Sequence, residues 1–214
     1  MRAASAIALL LLSACGSYSP LDSHYNRGVE FYDQGRLADA IREYRMAIED
    51  EPENVRARFN LGVAYHDQGK LAEAAAEYEA VLARQPDNGR ALVSLAAIRL
   101  EEKKEADALA LLERAAAAES SSGFPRSSLG AFYEKKGDLD RAAEAYRASI
   151  ATEPGHAAGH AGLARILAGR GAWAEAVAEY DKAITSDGDD IALLLASSEA
   201  RQRTGDVQGA LLHL

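Results

Sequence analysis

Small and large apolar residues recur along the chain with a period of 34 residues, which runs from Leu21 to the end without insertion or deletion. Position 20 of this period is alanine every time, and position 8 is always glycine, alanine or serine. Position 24 is tyrosine in four blocks and leucine in two. The period predicts one structural unit that is repeated six times in tandem. Its blocks are 21–54, 55–88, 89–122, 123–156, 157–190 and the partial block 191–214.

Two helix breakers divide each block into a pair of helices. Position 15 is glycine in five blocks and Lys103 in the third. Glycine there ends the first helix because it takes a left-handed conformation at little cost. Position 32 is Pro52, Pro86 or Pro154 in three blocks, and proline stops the second helix. One pair cannot bury its own apolar face, so we expect the core to form between stacked pairs.

This pattern resembles the tetratricopeptide repeat, and the resemblance covers residues 21–214, about nine tenths of the chain. It implies an all-α fold: an α-solenoid of tandem 34-residue helix-turn-helix repeats that forms a right-handed superhelix. The small residues at positions 8 and 20 then lie where the two helices of a repeat approach most closely. Residues 21–214 are accordingly predicted to be one array, whose blocks are numbered below as repeats 1 to 6.

Two repeats depart from the pattern. Repeat 3 has Arg99 at position 11 and Ser120 at position 32, and we expect any bend in the stack at residues 120–123. Repeat 6 ends on Leu212 and Leu214 without the polar helix that usually caps such an array. Either the sequence is a fragment, or a partner protein or a second copy covers that end.

The amino-terminal end has the pattern of an export signal. A basic residue, Arg2, precedes an apolar run at residues 3–12. This run is shorter than the about 20 residues that a membrane-spanning helix needs, and it has the length of a signal-peptide core. It ends in Leu12-Ser13-Ala14-Cys15, which resembles the bacterial lipobox.

The lipobox resemblance implies cleavage before Cys15. Residues 1–14 are then a lipoprotein signal peptide, and residues 15–20 are a lipidated tether. More than one acyl chain on Cys15 makes a lasting membrane anchor. Gly16 in place of aspartate implies sorting to the periplasmic face of the outer membrane. The alternative is an ordinary cleaved signal with a coincidental cysteine.

Charge and composition exclude several kinds of partner and binding site. Lysine and arginine number 24 against 33 acidic residues, a net charge of −9, which argues against a nucleic-acid partner. Cys15 is the only cysteine, so an internal disulfide and a cysteine zinc site are excluded. His156 and His160 are four residues apart but lack a further ligand. No catalytic motif or phosphate loop appears, and we expect neither enzymatic activity nor a metal or cofactor.

The family resemblance also implies a binding surface. In tetratricopeptide arrays the inner face of the first helices forms a concave groove for peptides, at positions 2, 5, 6, 9 and 12. In repeats 1 to 3 these positions give an apolar floor with asparagine and arginine at intervals, whereas in repeats 4 to 6 they are small and mixed. The predicted groove residues are Tyr25, Asn26, Val29, Arg56, Phe59, Asn60, Val63, His66, Arg90, Val93 and Ser94.

The polar groove residues suggest the kind of ligand. Asn26 and Asn60 both occupy position 6, and an amide can satisfy a C=O and an N–H of an extended chain. Arg56 and Arg90 could receive an acidic side chain or a terminal carboxylate. The two-lysine, two-asparagine, one-arginine clamp known for chaperone tails is incomplete, because other residue types, such as Ser94, occupy some of its positions.

We therefore expect a non-enzymatic adaptor that is lipid-anchored in the bacterial envelope and binds extended segments of other proteins. Its architecture resembles the pilotins of type IV pilus or related secretion systems, which help a secretin assemble. One alternative is a scaffold for peptidoglycan hydrolases of the envelope. Another is the tetratricopeptide part of a larger enzyme whose catalytic region is absent from the sequence.

Overall fold

The computed structural model describes residues 23–118, 121–186 and 190–211, and their regular structure is helical without a strand. The all-α prediction is therefore confirmed. The signal peptide, Cys15 and its tether, Ser120 and residues 212–214 lie outside the described residues. The helices are α1 (His24–Asp33), α2 (Leu37–Asp50), α3 (Val55–Asp67), α4 (Leu71–Arg84), α5 (Gly89–Glu101), α6 (Glu105–Ala117), α7 (Phe124–Lys135), α8 (Leu139–Thr152), α9 (Ala157–Gly169), α10 (Trp173–Ser186), α11 (Ile191–Thr204) and α12 (Val207–Leu211).

The chain divides into two units, Met1–Glu77 and Tyr78–Leu214. In the first unit α2 packs against both α1 and α3. Its core is a cluster of buried residues, which are Ala40, Tyr44, Leu61 and Ala64. Gly28, at position 8, lies so close to Tyr44 that an added Cβ would be 2.5 Å from the ring. The small residue at that position is therefore required by the helix contact.

The second unit repeats this arrangement from α5 to α12. Each helix contacts the next one along the chain, and the first helices of successive repeats also touch, α5 with α7 and α7 with α9. One buried cluster is built around Phe132 and Tyr146, and another around Tyr180. This side-by-side packing of helix pairs is that of an α-solenoid, and each repeat completes its core with its neighbours.

The single tryptophan lies in the last of these clusters. Trp173 is half-buried and packs against the cluster around Tyr180. The Arg203 guanidinium of α11 lies over its ring, 5.4 Å from the centroid. The indole therefore joins α10 to the carboxyl-terminal repeat.

The predicted helix breakers take the expected backbone conformation. The five glycines at position 15 have φ values between 71° and 83°, and each follows a first helix. Lys103 has φ 61° and is the only non-glycine residue with a positive φ in the described part of the chain. The loop of repeat 3 thus keeps the left-handed turn despite its side chain. Side-chain N-caps begin half of the twelve described helices: Ser23, Asn54, Asn88, Asp138, Asp190 and Asp206 each accept a backbone N–H.

In several repeats the side chain at repeat position 4, on the first helix, contacts the side chain at repeat position 23, on the second helix. His24 pairs with Glu43 at 2.7 Å, and Arg58 pairs with Glu77 at 3.4 Å. In the second unit the buried His160 contacts the carboxylate of Glu179 at 2.6 Å, and its other ring nitrogen lies 2.8 Å from a backbone carbonyl. These pairs tie the two helices of a repeat together.

Repeat 4 lacks such a pair. Arg126 stands at position 4, but position 23 is Ala145. Among the described residues, the buried Nη1 of Arg126 has no hydrogen-bond partner. The cation of this repeat therefore has no matching carboxylate on α8.

Candidate functional site

Three of the predicted groove residues meet in the first unit. The Arg56 guanidinium, on α3, lies 4.8 Å from the centroid of the Tyr25 ring of α1. The amide nitrogen of Asn60, one turn further along α3, donates a 3.3 Å hydrogen bond to the Tyr25 hydroxyl. Arg56 itself is exposed. The phenol thus holds an exposed cation in place, which leaves its outer N–H groups available to an acceptor on a ligand.

Asn60 also contacts the hydroxyl of the buried Tyr44. Burial raises the pKa of Tyr44 to about 12, and the hydrogen bond from Asn60 acts in the opposite direction. The Asn60 amide is therefore held between two phenols and is half-buried. This side chain supports the core of the first unit as well as its surface.

The remaining predicted groove residues are half-buried, apart from Arg90. Val29 packs against the core of the first unit, and Val93 packs against the core of the second. The backbone N–H of Asn26 donates to the Ser23 side chain that caps α1. Arg90 is exposed on α5. The other four, half-buried on α3 or α5, are Phe59, Val63, His66 and Ser94.

A cavity of about 270 Å³ opens in the second unit, on the face where repeats 4 to 6 were expected to be small and mixed. Alanine side chains and Leu193 form its apolar walls, and the ring of Tyr146 from α8 also contributes. The cavity exists because these positions carry short side chains, whereas repeat 2 has Phe59 and Val63 at positions 5 and 9. Its lining residues are Ser127, Ala131, Tyr146, Ala157, Ala158, Ala161, Arg165, Asp190 and Leu193.

An ion pair stands at the edge of this cavity. The Arg165 guanidinium of α9 makes two hydrogen bonds to the Glu134 carboxylate of α7, at 3.0 and 2.8 Å. The Tyr146 hydroxyl donates to the same carboxylate at 2.6 Å. The hydrogen bonds from Arg165 lower the pKa of Glu134, whereas burial and the bond to Glu134 raise the pKa of Tyr146. Both partners of the ion pair are thus charged at neutral pH.

The sequence carried a signal for this site that the pattern analysis missed. Position 9 is Val29, Val63, Ala97 and Ala131 in the first four repeats and Arg165 in the fifth. The change from apolar residues in repeats 1 to 4 to charged residues in repeats 5 and 6, where Glu199 follows Arg165, is a departure that a repeat comparison can detect.

A sequence model of the tetratricopeptide repeat matches residues 25–84, 67–123 and 133–191. The chain belongs to the tetratricopeptide repeat family. A search of curated proteins found no match.

Solved tetratricopeptide-like structures share this fold. PilF of Pseudomonas aeruginosa superimposes with a TM-score of 0.74 at 20% identity, over 90% of this chain and 87% of PilF. PilW, described as a widely conserved type IV pilus biogenesis factor, gives 0.69 at 17% identity, over 89% and 88%. MamA gives 0.57 at 25% identity, over 75% and 94%. At these identities the likeness concerns the fold.

Neither a metal-binding cluster nor a membrane-spanning helix is found in the described part of this tetratricopeptide chain. It contains no group of three histidine, cysteine or acidic side chains that could hold a metal ion. None of its helices has the length and apolar character needed to cross a bilayer. Its candidate sites are therefore the Tyr25–Arg56–Asn60 cluster and the cavity beside Arg165.

Proposed function

We propose that this tetratricopeptide protein is a lipid-anchored adaptor of the bacterial envelope that binds extended segments of other proteins. The fold supports the general part of this proposal, because it is that of a protein-interaction scaffold. The observation that carries the binding site is the exposed Arg56 guanidinium, held over Tyr25 whose hydroxyl is fixed by Asn60. A cation oriented in this way can receive a carboxylate or a backbone carbonyl of a partner.

The anchor and its location rest on the sequence. The tetrapeptide ending at Cys15 supports lipidation, and Gly16 supports delivery to the periplasmic face of the outer membrane. A role in assembling a pilus or a secretin is supported by likeness of architecture to PilW, a type IV pilus biogenesis factor.

The binding proposal is tested by crosslinking the full-length protein in envelope membranes. Arg56→Ala should reduce the yield of each crosslinked partner by about tenfold, since a charge-assisted contact is lost. Arg36→Ala is the matched control, because Arg36 also lies over an aromatic ring, that of Phe31, at 4.2 Å. Equal yields from the two variants would show that the Tyr25–Arg56–Asn60 cluster does not bind the partner.

The anchor is tested separately. The wild-type protein should incorporate radioactive palmitate and sediment with outer membranes. Cys15→Ser should not be labelled and should leave the membrane fraction or retain its signal peptide. Equal labelling of both proteins would contradict lipidation at Cys15.

A further inference from the structure

We propose that the cavity beside Arg165 is a receptor for one aliphatic side chain of an uncharged, extended partner segment. This inference rests on the proposed function, since it specifies what an adaptor of this kind would bind. It concerns the second unit alone and is independent of the cluster around Tyr25.

The apolar walls of the cavity favour an aliphatic side chain. Ala131, Ala157, Ala158 and Ala161 present methyl groups, and Leu193 closes the apolar surface. A volume of about 270 Å³ equals roughly nine waters at about 30 Å³ each, which is enough room for an aliphatic side chain together with its backbone. Water in such a space meets few polar partners, so an aliphatic group that displaces it gains by the hydrophobic effect.

Two polar groups at the cavity fit a peptide backbone. Arg165 uses Nε and Nη2 to hold Glu134, and no described residue accepts a hydrogen bond from its Nη1. Asp190 uses Oδ1 to cap α11, at 2.9 Å from the Ala192 N–H, and no described residue donates to its Oδ2. One donor and one acceptor match the C=O and N–H of a single extended residue.

The surroundings of the cavity favour an uncharged ligand. An acidic side chain would meet the Asp190 carboxylate and a basic one the Arg165 guanidinium, because both of these charged groups line the cavity. Beside Leu193 in the sequence, α11 exposes Ile191 at 71% and Leu195 at 51% of their surface. These two side chains are one helical turn apart and therefore share a face. Because residues two positions apart on a helix do not face the same way, this exposed apolar face of α11 points away from Leu193 and the cavity.

The probe is a capped leucine, N-acetyl-leucine-N-methylamide, which carries one side chain, two C=O groups and two N–H groups. It is titrated into the full-length protein labelled with ¹³C at its alanine methyl groups. The methyl signals of Ala131, Ala158 and Ala161 should shift in a saturable way. The capped alanine, aspartate and lysine analogues should bind about tenfold more weakly or worse.

The matched variants are Ala158→Leu and Ala148→Leu. Both alanines are exposed, but only Ala158 lines the cavity, whereas Ala148 lies on α8. Ala158→Leu should abolish the shifts, and Ala148→Leu should leave them unchanged. Equal binding of all four capped residues, or shifts that survive Ala158→Leu, would overturn the inference. Because crosslinking through Arg56 is scored separately, the adaptor function would survive a failure here.

Discussion

Arg165 and Glu134, which stand 31 residues apart in the chain, are joined by two parallel hydrogen bonds that link α9 to α7. The Glu134 side chain is 25% exposed, and its carboxylate also accepts the hydroxyl of Tyr146. Both helices of repeat 4, α7 and α8, and the first helix of repeat 5, α9, thus meet at one carboxylate. The pair both shapes the cavity and connects successive repeats.

The first prediction is that Glu134→Gln lowers stability at neutral pH but has little effect in acid. Because the folded pKa of Glu134 is lowered, the carboxylate stabilises the fold above its unfolded pKa of about 4.3. That stabilisation is lost as the pH falls through the folded pKa. The variant should be about 1.5–3 kcal/mol less stable at pH 7. Urea unfolding at pH 7 and below pH 4 checks this, with the exposed Glu144→Gln as control.

The second prediction concerns the tightest helix contact of the first unit. Gly28→Ala should cost about 1–3 kcal/mol, because its Cβ would be 2.5 Å from the Tyr44 ring. Gly169→Ala, where nothing lies within 4 Å of the added Cβ, should be neutral or slightly stabilising. Thermal melts of both variants decide the matter, and a stable Gly28→Ala protein would contradict the packing described.

The third prediction concerns the loop of repeat 3. Lys103→Gly should raise stability by about 0.5–1 kcal/mol, because the left-handed conformation at φ 61° is costly for lysine. The gain is reduced by the greater freedom of glycine in the unfolded chain. The neighbouring Lys104 has φ −93°, so Lys104→Gly should give no such gain. The comparison requires only the two melting midpoints.

The fourth prediction completes the missing pair of repeat 4. Ala145→Glu should place a carboxylate opposite Arg126, as Glu43 lies opposite His24 and Glu77 opposite Arg58. We expect stabilisation of up to about 1 kcal/mol. Ala145→Gln lacks the charge and should gain less. A melting midpoint that falls equally in both variants would show that α8 has no room for the longer side chain.

The repeat pattern predicted the helix pairs because steric contacts dictate its residue types. Gly28 must be small to admit Tyr44, and such constraints recur in the sequence with the period of the fold. The cavity could not be predicted in the same way. It results from short side chains on two helices, among them Ala131 and Ala158, and from the ring of Tyr146 on a third. Short side chains do not stand out in a repeat pattern, and Arg165 at position 9 is the residue of this site that does.

The contact between Trp173 and Arg203 gives the protein a built-in optical probe. Trp173 is the only tryptophan, so fluorescence excited at the indole band reports on α10 and the carboxyl-terminal repeat. Far-ultraviolet circular dichroism reports instead on every helix. In a linear array held by nearest-neighbour contacts, terminal repeats can unfold before the rest. The separation between the two unfolding midpoints therefore measures how strongly the last repeat is coupled to the array.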